Sequence, residues 1–475
     1  MRIVYAASEA APFIKTGGLG DVAQALPIAL SGIKDNEVIL FLPYYSKIKN
    51  DPSFETEYLQ SFSIDLSWRK QHVGVFRLKS RKKKFRVYFI DNEYYFKRDT
   101  VYGQHDDGER FAFFSKAILE SLVRLDITPD IIHCNDWQTA LLPIMLRAFY
   151  QERLGSAKTV FTIHNIEYQG WADPYFLGDT LGLGDEYNNT LTFNGALNFM
   201  KGAILTTDVL TTVSKTYAEE IKYPYYAHGL SNIIDEHQFK LEGVVNGIDT
   251  QSNDPMNDRA LFCNYGLTDY KVGKAKNKSE LQKLLGLEVR DDVALIGMVS
   301  RIVSHKGFEL ICDIARELMK WNIQLVILGT GDPSYEHLLE SVAKNNRSKF
   351  SLNLCFDSKL ASKIYAASDI YLMPSKSEPC GLSQLIAMRY GTVPVVNATG
   401  GLKDTVEAFD GKNGTGFNFQ SFSREDLLDA IRRALEVYGG NKKSWDLVVT
   451  NCMKYDSSWD KPAREYMEIY KNCLK

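Results

Sequence analysis

Little in this sequence points to a secreted, membrane or nucleic-acid-binding protein. Its seven cysteines among 475 residues include no Cys-x-x-Cys pair. Their odd number and wide spacing fit neither a disulfide framework nor a zinc site, and suit a reducing compartment. No apolar run approaches the ~20 residues that span a bilayer. The start, Met1-Arg2-Ile3-Val4-Tyr5, enters a strand pattern with no basic-then-apolar leader, so a cytoplasmic location is expected. There is no basic excess. The 56 Lys and Arg stand against 59 Asp and Glu, a formal charge of −3, which argues against nucleic acid as a partner. Asp-x-Asp triplets and His-x-x-x-His pairs are both missing, so no metal site is expected.

What is present is a globular composition, 45% hydrophobic and 24% charged, on a chain too long for one ordinary core. Short apolar runs alternate with helical spacing. The runs Ile3–Ala7, Val38–Leu42, Val87–Ile90, Ile131–His133, Val160–Ile163, Val209–Val213 and Gly243–Val245 predict one set of strands. The pattern restarts with Ala294–Val299, Gln324–Leu328, Leu352–Phe356, Ile370–Met373 and Val393–Asn397. Continuous apolar strands separated by helices predict parallel sheets covered on both faces, here in two α/β domains. The joint is expected at Asn246-Gly247-Ile248-Asp249 and the polar stretch after it. The basic run from Lys79 to Arg86 lies between two alternating segments and reads as a hairpin turn, with an anion-binding patch as the alternative.

Candidate chemistry sits on strand-to-helix loops. Lys15-Thr16-Gly17-Gly18-Leu19-Gly20-Asp21 precedes a helix, and a cation beside flexible glycines suits a phosphate or a sugar hydroxyl. Gly18–Ala23 also matches the dinucleotide fingerprint. The glycines stand too far from their strand, however, and strand two ends in Pro43-Tyr44-Tyr45 without the acidic residue that holds a ribose. A dehydrogenase is therefore not favoured. Arg301 and Lys306, five apart on another such loop, can converge on a diphosphate. In the segment 374–383, Glu378 can accept sugar hydroxyls, and the amides of Gly381, Leu382 and Ser383 can face an anion. Cys380 has no evident base and reads as a packed residue rather than a nucleophile. Thr399-Gly400-Gly401-Leu402 ends the next strand in the same manner. Asp136 and His164 end strands of the first half and suit sugar contacts, with structural roles as the alternative. Tyr94, Tyr95 and Phe96 either stack on a carbohydrate or pack in the core.

Taken together, these segments resemble the bacterial-type glycogen (starch) synthases. Lys15–Val22, His133-Cys134-Asn135-Asp136-Trp137-Gln138, Thr162-Ile163-His164-Asn165, Val245–Asp249, Ser300–Gly307 and Glu378-Pro379-Cys380-Gly381-Leu382 match in order. The resemblance implies a GT-B fold: two Rossmann-like doubly wound domains facing across a cleft, residues 1–245 and 246–455, with a last helix over 456–475 crossing back to the first. It implies retaining transfer of glucose from ADP-glucose, or UDP-glucose, to the non-reducing end of an α-1,4-glucan, with no cofactor. By the same resemblance, Lys15, His164, Arg301, Lys306 and Glu378 carry catalysis. Thr16, Gly17, Gly18, Asp21, Tyr95, Asp136, Asn246, Phe356, Cys380, Gly381, Leu382 and Ser383 bind donor or sugar, with Phe356 against the base. The chain departs from the family at Lys376-Ser377, usually Arg-Phe, at Asn253, commonly Trp, and at Asp357; these positions bear on nucleotide preference and cleft packing. Another GT-B sugar-nucleotide enzyme, or a non-catalytic glucan-binding protein on the same scaffold, is the alternative. The latter should have lost the cations or Glu378, and all are present.

Overall fold

A computed structural model describes residues 1–80 and 82–475; Arg81 of the basic run lies outside the described residues. The chain divides into two compact units, Met1–Asn246 with Trp459–Lys475, and Gly247–Ser458.

Among the described residues, the main sheet of the first unit has nine strands. Across the sheet they run Leu241–Gly243, Val209–Thr212, Lys158–Ile163, Ile131–Asn135, Arg2–Ala6, Glu37–Pro43, Phe85–Asp91, Arg69–Leu78 and Thr56–Leu66. All are parallel as far as Phe85–Asp91, and the last two are antiparallel. Central strands are buried along nearly their whole length, as their continuous apolar runs predict. The strand Thr56–Leu66 was not anticipated. Its burial alternates, because it lies at the sheet edge with one face in water. The hairpin around the basic run is as expected: Arg77 pairs with Tyr88 across it, and Lys79 and Arg86 are matched by Glu55 and Glu37. A second, small antiparallel sheet of Trp171–Ala172, Ala196–Asn198 and Thr192–Phe193 carries too few residues per strand to leave a periodic signal.

The C-terminal helix Asp460–Cys473 packs in the first unit. It buries Tyr466, Ile469 and Tyr470, and Tyr470 hydrogen-bonds His133 of the central sheet at 2.6 Å.

The second unit holds a six-stranded parallel sheet in the order Phe350–Asn353, Ile323–Leu328, Ala294–Val299, Ile370–Met373, Val393–Asn397, Phe417–Phe419. The strand expected over Leu352–Phe356 lies earlier, at Phe350–Asn353, because Asp357 caps the next helix through the amides of Lys359 and Leu360 and pulls the intervening residues into a loop. The polar stretch read as part of the joint contains a helix, Tyr270–Leu284. Its buried face is Tyr270, Gly273, Lys274, Asn277, Lys278 and Leu281, at helical spacing but largely polar. Lys278 pairs with Asp369 at 2.8 Å, and Lys274 donates to Ala366 O, Tyr390 O and Thr392. Buried polar groups with complete hydrogen bonding are stable but invisible to a hydrophobic pattern. Among the described residues, no helix is long and apolar enough to cross a membrane.

Candidate active site

In each parallel sheet the strand order reverses once beside a central strand. Open α/β folds bind ligands at such switch points, outside the carboxyl ends of the strands.

In the second unit the reversal lies between Ala294–Val299 and Ile370–Met373. The loops leaving these two strands carry Arg301, Lys306 and Glu378. Gly307 binds the loops together. It takes φ +80°, and a Cβ there would stand 2.0 Å from the Pro374 carbonyl oxygen. Lys306 Nζ consequently reaches Glu378 Oε2 at 2.7 Å, and Ser375 Oγ donates to the same oxygen at 3.0 Å. Glu378 is 5% exposed. Arg301 is exposed, and its guanidinium has no partner among the described residues.

The backbone N–H groups of Gly381, Leu382 and Ser383 turn into the helix Ser383–Arg389, with Gly381 at φ +75°. Cys380 is buried, so it is not presented as a nucleophile, and its carbonyl accepts from Gln384 at 3.1 Å. The third glycine loop behaves differently from expectation. Gly401 N donates to the carbonyls of Glu378 and Pro379, and a Cβ at Gly400 would lie 2.0 Å from Glu378 O. These glycines are there so that backbone can pack against the Glu378 loop, and the Gly401 amide is not available to an anion. Phe356 projects from its loop 93% exposed. Lys376, a departure from the family pattern, lies over the Phe422 ring at 5.8 Å.

In the first unit the reversal lies between Arg2–Ala6 and Ile131–Asn135. The loop after Arg2–Ala6 is held from within by Glu9, which sequence reasoning missed. Its buried carboxylate accepts Thr16 N and, at 2.6 Å, Thr16 Oγ1, and burial pushes its pKa up. Its signal was a carboxylate placed directly after a strand end, seven residues before Thr16. Thr16 is thus engaged by the protein itself. Gly17 is extended at φ −151° and precedes the helix Gly18–Gly32. Lys15 Nζ pairs with Asp21 at 2.7 Å, both side chains substantially exposed.

Asp136 adopts φ +55° and accepts from the amides of His164 at 2.7 Å and Asn165 at 3.4 Å. Burial nevertheless raises its pKa to about 7. His164 Nε2 lies 2.9 Å from Asn135 Oδ1, whose own Nδ2 donates to Ala6 O. The Asn135 oxygen therefore accepts, and His164 carries its proton on Nε2. Burial holds the imidazole neutral, its pKa lowered to about 3. Asn135, a quoted motif residue without an assigned role, is the hub that joins His164, Tyr5 and the first strand. Asn246 is buried, and its Oδ1 has no hydrogen-bond partner among the described residues.

Tyr95 does not belong with these groups. It is fully buried, packs on Phe113 at 4.8 Å, and donates its hydroxyl to Glu109. The ring cannot stack on a sugar because the core already covers it; Tyr94 beside it is the exposed one.

Residues 2–236 match the starch synthase catalytic domain, and residues 286–444 match glycosyl transferases group 1. The glycogen synthase of Clostridium novyi is 48% identical, with all of this chain and 99% of that protein covered. The chain belongs to the glycogen synthase family. The Streptococcus mutans glycogen synthase is 46% identical over 99% of both chains. Among solved structures, the catalytic domain of starch synthase IV from Arabidopsis thaliana, bound to ADP and acarbose, superposes with a TM-score of 0.92 at 34% identity, covering 99% of each chain. A sucrose-phosphate synthase from Thermosynechococcus elongatus shares the fold, with a TM-score of 0.63 at 16% identity over 99% of this chain and 98% of that one. The protein is therefore a glycosyltransferase enzyme of GT-B fold acting in glycogen or starch synthesis.

Proposed function

We propose that this glycogen synthase transfers glucose from ADP-glucose to the non-reducing end of an α-1,4-glucan, with retention at the anomeric carbon. The observation that carries the proposal is the Arg301, Lys306 and Glu378 arrangement at the switch point of the second sheet. An unpartnered guanidinium and a lysine suit a departing diphosphate. Glu378, held in one place by Lys306 and Ser375, suits the glucose hydroxyls. The amides of Gly381, Leu382 and Ser383 would meet phosphate or sugar. Phe356 offers its free ring to the base. The starch synthase IV structure contains ADP, which favours ADP-glucose over UDP-glucose as donor.

In the first unit, Lys15 with Gly17 and Gly18 suits phosphate and glucose, with Asp21 positioning the lysine and Thr16 anchoring the loop. Neutral His164 and Asp136 would line the sugar site, as would Asn246, whose unpaired buried oxygen can accept a sugar hydroxyl. The His164 carbonyl would face the developing positive charge at the anomeric carbon.

Retention proceeds on one face. The bond from C1 to the phosphate oxygen breaks as the acceptor hydroxyl oxygen bonds C1. The hydroxyl proton passes to the leaving phosphate. No carboxylate named here is presented as a free nucleophile: Asp136 is bonded by two amides, Glu9 by Thr16, and Glu378 by Lys306. That differs from the carboxylate pair of a retaining glycosidase. The fixed cations stabilise the leaving group without a metal or cofactor. Seven cysteines, none in a disulfide, suit a reducing cytoplasm.

Radiolabelled ADP-glucose and UDP-glucose, incubated with and without glycogen, test this. ADP-glucose should label the polymer in α-1,4 linkage, with the higher kcat/KM of the two donors. No polymer labelling from either donor would overturn the activity, and a trapped glucosyl-enzyme would overturn the one-face mechanism.

A further inference from the structure

The hairpin of Thr56–Leu66 and Arg69–Leu78 turns on Ser67 and Trp68. Gly74 is the residue opposite Asp91, the last of its neighbouring parallel strand. The five residues back to Arg69 therefore carry the turn about 16 Å past the carboxyl edge of the sheet. This is the same edge from which the Lys15 and Asp136 loops emerge.

The turn is a built feature. Ser67 takes the left-handed region at φ +53°, which costs a non-glycine residue energy. Gly182, at φ +66°, backs directly onto Ser67. Trp68, at the tip, is 73% exposed yet fixed in orientation. Its indole N–H donates to Asp179 Oδ1 at 2.8 Å. Arg69 stacks on the ring at 4.4 Å and donates to Asp179 Oδ2 at 2.7 Å. Arg69 also lies 3.8 Å from Glu109, which receives the Tyr95 hydroxyl, so the buried Tyr95 buttresses the group from behind. Tyr175, one helical turn before Asp179, is 87% exposed.

Ordering a large side chain while leaving it in water gains folding little, since it costs rotamer freedom without burying the ring. A rigid ring with open apolar surface is what the C–H face of a pyranose packs against, and the nearby carboxylates can accept its hydroxyls. Charge discriminates among partners. Arg69, the cation stacked on the ring, is matched by Asp179 and Glu109, so the charge at the ring is already balanced, which suits a neutral glucan better than an anionic polymer. We propose that Trp68, pinned by Asp179 and Arg69, is a docking platform that grips the α-glucan acceptor away from its reacting end. The identity of the polymer rests on the function proposed above.

Native gels containing glycogen test the platform without any donor. The wild-type protein should be retarded, Trp68→Ala should lose most of that retardation, and Trp68→Tyr should keep most of it. In the transfer assay, Trp68→Ala should raise the KM for glycogen about fivefold and leave the KM for ADP-glucose and the rate on maltotriose unchanged. Unaltered retardation and glycogen KM in Trp68→Ala would overturn the proposal. So would a smaller oligomer than the wild type with glycogen retention intact, which would make the ring a self-association contact. Should wild-type protein label no polymer while Trp68→Ala still loses retention, the platform stands and the proposed transfer falls.

Discussion

Lys306 Nζ lies 2.7 Å from Glu378 Oε2, joining two loops that leave neighbouring strands on either side of the switch point. The pair is nearly buried, so each charge depends on the other. Removing one partner of a buried pair costs about 3–5 kcal/mol, because the remaining charge is left uncompensated. Glu378→Gln keeps an acceptor for Lys306 and Ser375 and should fold. It should lower kcat/KM ~10²–10³-fold, the effect of losing one oriented charged contact in a transition state. Lys306→Ala should lower the melting temperature as well as the rate. Steady-state kinetics beside thermal melts distinguish the two; near-normal kcat/KM in Glu378→Gln would remove that residue from the site.

The Lys15–Asp21 pair is the opposite case. It is exposed, so its loss should cost under about 1 kcal/mol of stability. Lys15→Ala should nevertheless cut turnover strongly. Gly20→Ala provides an independent check, since the new Cβ would stand 3.0 Å from Lys15 Cγ and 3.3 Å from its Cα. Displacing the lysine in this way should slow turnover in a folded protein. Wild-type rates from both variants would show that the loop does not act on the donor.

Acid should destabilise the first unit through its buried imidazoles. His133 and His164 are held neutral in the fold, their pKa values lowered to about 3, whereas the unfolded chain protonates both near pH 6.5. Asp136, raised to about 7, works in the other direction: the fold keeps its proton and the unfolded chain does not. Between pH 6.5 and about 4 the unfolded chain thus binds one net proton more at these three groups, which together should lower stability by ~1.4 kcal/mol per pH unit as pH drops, less the opposing effect of Glu9, whose pKa burial also raises. Denaturant midpoints measured across this window read the slope. His133→Asn should flatten it, because His164 and Asp136 then cancel; an unchanged slope would show that His133 does not contribute.

The C-terminal helix is bolted to the sheet by Tyr470 and His133, both fully buried. Tyr470→Phe leaves the His133 Nδ1 unpaired and should cost about 1–3 kcal/mol. Transfer activity at low temperature should be unaffected. Calorimetry checks the first statement and a glycogen-labelling assay the second.

The central strands of both sheets were legible because residues buried on both faces must be apolar, as in Ala294–Val299, Ile370–Met373 and Val393–Asn397. The helix Tyr270–Leu284 was not, because Lys274, Asn277 and Lys278 occupy its buried face and are satisfied by partners distant in the chain. Tyr95 illustrates the converse: a tyrosine on a loop after a strand looks available until Phe113 and Glu109 are seen to enclose it. Glu9 and Asn135 were overlooked because they act by holding other site residues in place.

By itself, the sequence determined two α/β units, the strand-end position of Lys15, Asp136, His164, Arg301, Lys306 and Glu378, and the family. These follow from local periodicity and short motifs, which are written along the chain. Only the tertiary structure decided that Lys306 meets Glu378, that Gly400 and Gly401 serve packing, that His164 is a neutral Nε2–H donor, and that Trp68 is pinned beyond the carboxyl edge of the first sheet by Asp179. Each depends on partners brought together by sheet order, and strand order is not written in the local pattern of any one segment.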